Sequence, residues 1–236
     1  MFFKKIKVGH IKSIPIYIDY SWFLIFGLFI FTLSRYFAFS LKLDSVLFLP
    51  LIMGIITVIL AFTCFLIHEL SHSLVAIKNG IPIKHITLYM LGLGAFLGKD
   101  MERAGQEFKI AIAGPIANFI IAGLLFWPTL LLFQGLPAYY PIYLIFDYLI
   151  MINVIVGLFN LAPAFPLDGG RILRSALWFL FKNKIKATRY AVWVGRFMAG
   201  LMFFIALHYG MIIMLLISVY IFFMGNAELK RLEQDK

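Results

Sequence analysis

Apolar positions in this chain do not thin out to every third or fourth residue. They run on, almost without charge, over stretches of about 20 residues, the length that carries a helix across a bilayer. Six such stretches stand out, at 21–41, 46–77, 108–133, 142–166, 190–207 and 209–226. The last two come from one uncharged run, Phe197 to Ala227, divided at the polar break His208-Tyr209-Gly210. Two connecting segments carry other patterns. Residues 5–18 alternate in part, through Lys5-Ile6-Lys7-Val8 and Ile14-Pro15-Ile16-Tyr17-Ile18, which predicts a short hairpin before the first span. Residues 81–98 are apolar but too rich in glycine for a helix. They read either as an extended segment dipping into the bilayer, its backbone covered by protein or lining a cavity, or as an interfacial loop.

Composition removes the main alternatives. The 236 residues are 63% hydrophobic and only 14% charged, with a mean hydropathy of +0.96. A soluble domain carries about 25% charged residues, so this chain reads as neither soluble nor disordered. The first apolar stretch is long for a signal peptide and lacks a small-residue cleavage site, so it reads as a retained anchor. The net charge of +10 belongs to basic connections, not to nucleic-acid binding. Of the 21 lysines and arginines, all but Arg35 and Lys42 fall before the first span, between spans two and three or at the very start of span three (Lys109), between spans four and five or in the first turns of span five (Arg196), or in the tail. The positive-inside rule then places both termini in the cytoplasm. Cys64 is the single cysteine, which excludes an intramolecular disulfide.

Few ionisable residues interrupt the spans, and these carry the chemistry. The second span holds His68-Glu69-Leu70-Ser71-His72, an H-E-x-x-H pattern. Residues four apart share a helix face, so both imidazoles can reach one ion, while Glu69 is offset by about 100° and stays beside it. This is the geometry of a two-histidine zinc site with an adjacent carboxylate. Cys64 lies on the same face but about 12 Å from position 72 along a straight helix, too far to share a tetrahedral shell, and reads as a packing residue. Asp168 is better placed. It follows Asn160-Leu161-Ala162-Pro163-Ala164-Phe165-Pro166-Leu167, where two prolines break the fourth span, and precedes Gly169-Gly170. The charge map puts this break and the HELSH motif toward the same side of the bilayer, which makes His68, His72 and Asp168 a candidate ligand set.

Taken together, HELSH in an early span, Gly114-Pro115-Ile116-Ala117-Asn118 in the next, and N-x-x-P-x-x-P-x-D-G-G at 160–170 resemble the site-2 protease family of intramembrane zinc metalloproteases, in a compact branch without PDZ or CBS domains. The resemblance implies an all-α polytopic membrane protein: one six-span domain over 1–236, with a short N-terminal hairpin and a membrane-embedded strand region at 81–98. It implies one zinc ion on His68, His72 and Asp168, Glu69 as catalytic acid/base, and a transmembrane protein as substrate. Gly92 and Gly94 in the strand region and Asn160 are candidate substrate contacts, although LGLGAF stands where many members carry a Gly-Gly pair. Asn118 reads as a packing residue. Rival readings are a zinc transporter, a helix-binding pseudoprotease, and an unrelated H-E-x-x-H protease using Glu102 or Glu107, both read as lying in a basic loop. Partners reduce to substrate, the lipid bilayer of a prokaryotic cell and a regulatory membrane protein; oligomeric state is open.

Overall fold

A computed structural model describes residues 5–11, 14–43, 48–89, 92–97, 99–133 and 140–234. The chain runs through β1 (Lys5–Ile11), β2 (Ile14–Asp19), α1 (Ser21–Ser40), α2 (Phe48–Lys78), β3 (Ile83–Tyr89), β4 (Gly92–Leu97), α3 (Ala104–Phe133), α4 (Tyr140–Asn160), α5 (Asp168–Phe181), α6 (Lys184–Tyr209) and α7 (Ile212–Gln234). Six of the helices, all but α5, are long and apolar enough to cross a membrane, and the protein is an integral, multi-pass membrane protein. Apolar length settles this, because inside a bilayer every backbone polar group must be satisfied within its own helix.

The predicted break between the last two spans is a built turn. Gly210 adopts φ +67° and closes α6, with the Met211 amide donating to the Ala206 carbonyl at 2.8 Å. Few side chains other than glycine accept that left-handed backbone. At the other end of the chain, the Asp19 carboxylate accepts from the Ser21 hydroxyl at 2.6 Å and from its amide at 2.9 Å, anchoring the entry into α1. Those two bonds hold the Asp19 carboxyl below the usual carboxylate range.

Contacts divide the chain into two units, Met1–Asp100 with Ile116–Val156, and Met101–Pro115 with Gly157–Lys236. In the first, Leu33 and Phe37 of α1, Met53, Val58 and Ala61 of α2, and Leu144, Ile145 and Leu149 of α4 form an apolar cluster. A four-stranded sheet of order β1-β2-β3-β4 accompanies them. β1 and β2 form the predicted antiparallel hairpin, and β3 and β4 form a second one. Residues 90, 91 and 98 of the expected strand region lie outside the described residues. What local pattern did not reveal is that the hairpins join, β2 running parallel to β3 with Ile16 opposite Ile86 and Ile18 opposite Leu88. Ile16, Trp22 and Leu88 then pack with Phe62 and Leu66, seating the sheet on the stretch of α2 just ahead of His68.

In the second unit, α6 buries Ala187, Ala191, Gly195, Ala199 and Ala206. Small residues let membrane helices approach closely where no hydrophobic driving force exists between them. Two expectations are corrected here. The fourth span stops at Asn160 and not at 166, and residues 168–181, expected as part of a basic loop, form α5. Its carboxylate-first sequence and amphipathic pattern suit a helix lying along a surface, not a span.

Candidate metal centre

α2 is straight helix through the H-E-x-x-H stretch, so His68 and His72 stack one turn apart, as the spacing demands. Both are buried. Their Nε2 atoms face each other at 3.1 Å, with the ring planes at 82°. One donor atom from each of His68, Glu69 and His72 falls within 4.8 Å of the others, the one such cluster among the described residues. Two imidazoles aimed at a common point beside a carboxylate form a preassembled half-shell for a metal ion, which fits zinc's preference for histidine nitrogen and leaves positions to be filled by further ligands.

The orientation of His68 is set from outside α2. Its Nδ1 bonds to Oδ1 of Asn118 on α3. Asn118 in turn donates from Nδ2 to Oδ1 of Asn153 on α4 at 2.8 Å, and Asn153 donates from Nδ2 to the Leu149 carbonyl at 2.7 Å. Both asparagines are fully buried. The chain has a forced direction. A backbone carbonyl can only accept, so the Asn153 amide nitrogen must point at it and its oxygen must face Asn118. The same step repeats at Asn118, leaving its oxygen to accept from His68. His68 Nδ1 therefore carries a proton, and Nε2 is the ring nitrogen turned toward His72. Metal-binding histidines characteristically donate their other ring N–H in this way, which fixes tautomer and ring angle.

The sequence reading of Asn118 as a packing residue missed this role, and Asn153 was not singled out at all. The available signal was compositional: asparagines inside otherwise apolar spans, costly there unless bonded. Cys64 is buried one turn before His68 and lies outside the His-Glu-His cluster.

Of the remaining predicted residues, Gly92 and Gly94 lie on β4 in the first unit, and Asn160 and Asp168 belong to the second. Asn160 is the last residue of α4 and is half-buried. Asp168 is buried at the first position of α5, with the Arg171 Nη1 3.8 Å from its carboxylate. The two glycines after it are sterically required. A Cβ on Gly169 would strike the carbonyl oxygens of Leu161 and Ala162, and one on Gly170 would lie 2.7 Å from the Ala164 carbonyl carbon. The segment 161–165 thus lies directly on the first turn of α5.

That segment is also held from below. Arg174, one and a half turns along α5, donates to Glu107 through Nε at 2.9 Å and through Nη2, and to Glu228 through Nη1 at 2.6 Å. Its guanidinium sits 4.9 Å from the centre of the Phe165 ring. Burial alone would favour the neutral form of Arg174, but the two carboxylates outweigh it and push the pKa above its ordinary value. Glu107 is therefore not a loop residue, as expected, but a fully buried member of the first turn of α3, committed to Arg174.

Several known proteins resemble this chain. The chain is 39% identical over 191 residues to the putative zinc metalloprotease sll0528 of Synechocystis, covering 81% of this chain and 49% of the relative. It is 34% identical over 206 residues to the zinc metalloprotease MJ0392 of Methanocaldococcus jannaschii, covering 83% and 59%. The chain thus spans between about half and three fifths of the length of these two relatives. A solved site-2 protease from Methanocaldococcus jannaschii superposes with a TM-score of 0.63 at 32% identity, over 96% of this chain and 95% of that one. The profile of Peptidase family M50 matches residues 56–139 and 134–206, which takes in the histidine pair, both asparagines and the Asp168 turn; the chain belongs to that family.

Proposed function

We propose that this protein is an intramembrane zinc endopeptidase that hydrolyses peptide bonds in or near transmembrane segments of other membrane proteins. His68, His72 and Asp168 would hold one zinc ion, and the two units would work as a single catalytic domain. The observation that carries the reading is the one-way amide chain from Leu149 through Asn153 and Asn118 to His68. A histidine merely filling space needs no fixed tautomer, whereas a ligand does. Asp168 supports the third position as a buried carboxylate at a helix start, in a turn whose glycines admit no larger residue.

Zinc in this site would supply a Lewis acid that polarises a substrate carbonyl and makes water acidic enough to be deprotonated near neutral pH. Glu69, beside the pair but one residue out of their face, takes that proton and later delivers it to the leaving amine. Asn118 and Asn153 hold the His68 ring with Nδ1 toward Asn118 and Nε2 toward His72. β4 is an edge strand, its far side carrying no partner among the described residues. An unwound substrate would add there as a further strand, recovering the backbone hydrogen bonds it loses on leaving its helix. Gly92 and Gly94 would let that backbone approach closely, and Asn160 would bind a substrate carbonyl. Both termini face the cytoplasm of a prokaryotic cell in this reading, and a regulatory membrane partner remains compatible with it.

The test is metal content and cleavage together. Purified protein is expected to hold about one zinc per chain, to lose most of it in His72→Ala and Asp168→Ala, and to cleave a transmembrane peptide in nanodiscs. Zinc retained by Asp168→Ala overturns the ligand set. Zinc bound without cleavage of any transmembrane peptide favours a helix-binding pseudoprotease or a transporter.

A further inference from the structure

The turn between α5 and α6 carries a feature that peptide hydrolysis does not use. Asn183, Ile185, Lys186, Arg189, Tyr190 and Trp193 line an open cavity of about 520 Å³, inside the range of about 300–1,000 Å³ typical of small-ligand sites. Among its lining residues are two cations and no acid. The nearest acidic partner is Glu233, whose exposed pair with Arg189 spans 3.1 Å. Exposed ion pairs of this kind contribute little and exchange readily for another anion. Lys182 and Lys186 flank the turn, each lying over an aromatic ring, Phe179 at 5.5 Å and Phe181 at 5.0 Å.

The order of residue types along α6 says what kind of anion fits. One exposed face runs from Lys186 through Arg189 and Tyr190 to Trp193, and continues through Phe197 to Phe204. Arg196, the next cation along α6, is half-buried and turned to Asn226 of α7, its guanidinium 5.7 Å from the centre of the Trp193 ring. On the exposed face charge gives way to amphipathic aromatic rings over about 10 Å of helix, and the rings to apolar side chains. That sequence reproduces the passage from headgroups to hydrocarbon, where tryptophan and tyrosine collect. The last turn of α5 agrees: Phe179 and Leu180 are each 69% exposed beside Lys182, as in a helix lying in the interface. A water-soluble acidic partner would have no use for Trp193 and Phe197 below the cations.

We infer that this cavity is a binding site for the phosphate headgroup of an anionic phospholipid, with Lys186 and Arg189 on the phosphate and Tyr190 and Trp193 along the glycerol and upper acyl chains. The lipid fastens the α5–α6 turn to the membrane surface, on the helix that begins with Asp168.

The probe is phosphatidylglycerol, doped into phosphatidylcholine nanodiscs holding the full chain, with retained lipid counted by native mass spectrometry. Each basic residue near an anionic surface contributes about a factor of five, so Lys186→Gln/Arg189→Gln should weaken phosphatidylglycerol retention about thirtyfold. The pair Lys78→Gln/Lys84→Gln removes the same charge elsewhere and should leave retention within about threefold. Trp193→Ala should weaken lipid retention while leaving the effect of inorganic phosphate unaltered. Equal loss in both charge pairs would reduce the effect to diffuse attraction and overturn the site. So would displacement of retained phosphatidylglycerol by inorganic phosphate, or by soluble polyglutamate, at concentrations comparable to the lipid's; displacement by polyglutamate would point to an acidic protein partner. Lipid retention is read without proteolysis, so the result stands apart from the proposed activity.

Discussion

Each unit of the molecule buries a polar network, and the two are built on opposite plans. In the first, Asn153, Asn118 and His68 pass hydrogen bonds in one direction, ending on a ring nitrogen that faces a second imidazole. In the second, Glu107, Arg174 and Glu228 are charged and close on one another, with the Phe165 ring stacked on the guanidinium. The first network is built of amides and an imidazole and leads to the facing Nε2 atoms of His68 and His72, where the His-Glu-His cluster lies. The closed one carries the large desolvation cost of buried ions, recovered only by mutual attraction and well-aimed hydrogen bonds. It packs against the Asp168 turn through the Phe165 ring, with Arg174 engaging one Glu107 oxygen while the other has no hydrogen-bond partner among the described residues. A buried polar group therefore signals function by where its hydrogen-bond chain leads, not by its burial.

The sharpest break in that comparison is beside the two histidines. Glu69→Gln should lower cleavage by about 10³- to 10⁴-fold while zinc content stays at the wild-type level. The donor atoms of Glu69 and the two histidines lie within 4.8 Å of one another, so the metal measurement decides between two roles. Loss of zinc together with activity would make Glu69 a ligand and not the proton carrier.

Next comes the closed network. Arg174→Met should destabilise the detergent-solubilised protein by about 3–5 kcal/mol, because it strands a buried Glu107 carboxylate. Replacing all three members together, Glu107→Leu with Arg174→Met and Glu228→Leu, should return most of that stability. Thermal unfolding of the single and triple variants checks it. A triple variant no better than the single would show that the ions do more than satisfy one another.

How much of this was legible in the sequence follows from the range of each interaction. The six spans, the turn at Gly210 and the histidine spacing are local, set by residues within a helix turn or by the apolar length a bilayer demands. α5 was hidden because Arg171, Arg174 and Lys182 make its sequence read as a basic loop; its helical period shows only once Arg174 is known to point inward. The parallel pairing of β2 with β3 joins residues about 70 apart, beyond any local pattern. Asn118 and Asn153 lie 35 positions from each other, and Asn118 is 50 from His68. Each is visible alone as an amide in an apolar span, but its partner is not.

The smallest effect is the most discriminating. Asn118→Leu removes the acceptor that holds His68 Nδ1 without touching any proposed ligand. Freed from it, the ring loses both its preferred angle and its preferred tautomer, and zinc affinity measured by chelator competition should fall about 10- to 100-fold. Stability should change less than in Arg174→Met, because no charge is stranded; one amide, that of Asn153, loses a donor. Asn153→Leu should do less to zinc still, within about tenfold. It leaves Asn118 in contact with His68 but removes the group that dictates which way the Asn118 amide faces. If the two asparagine variants weaken zinc equally, orientation is transmitted along the whole chain from the Leu149 carbonyl. If Asn153→Leu leaves zinc untouched, Asn118 is held by packing alone, and the forced direction of the chain has no consequence for the metal.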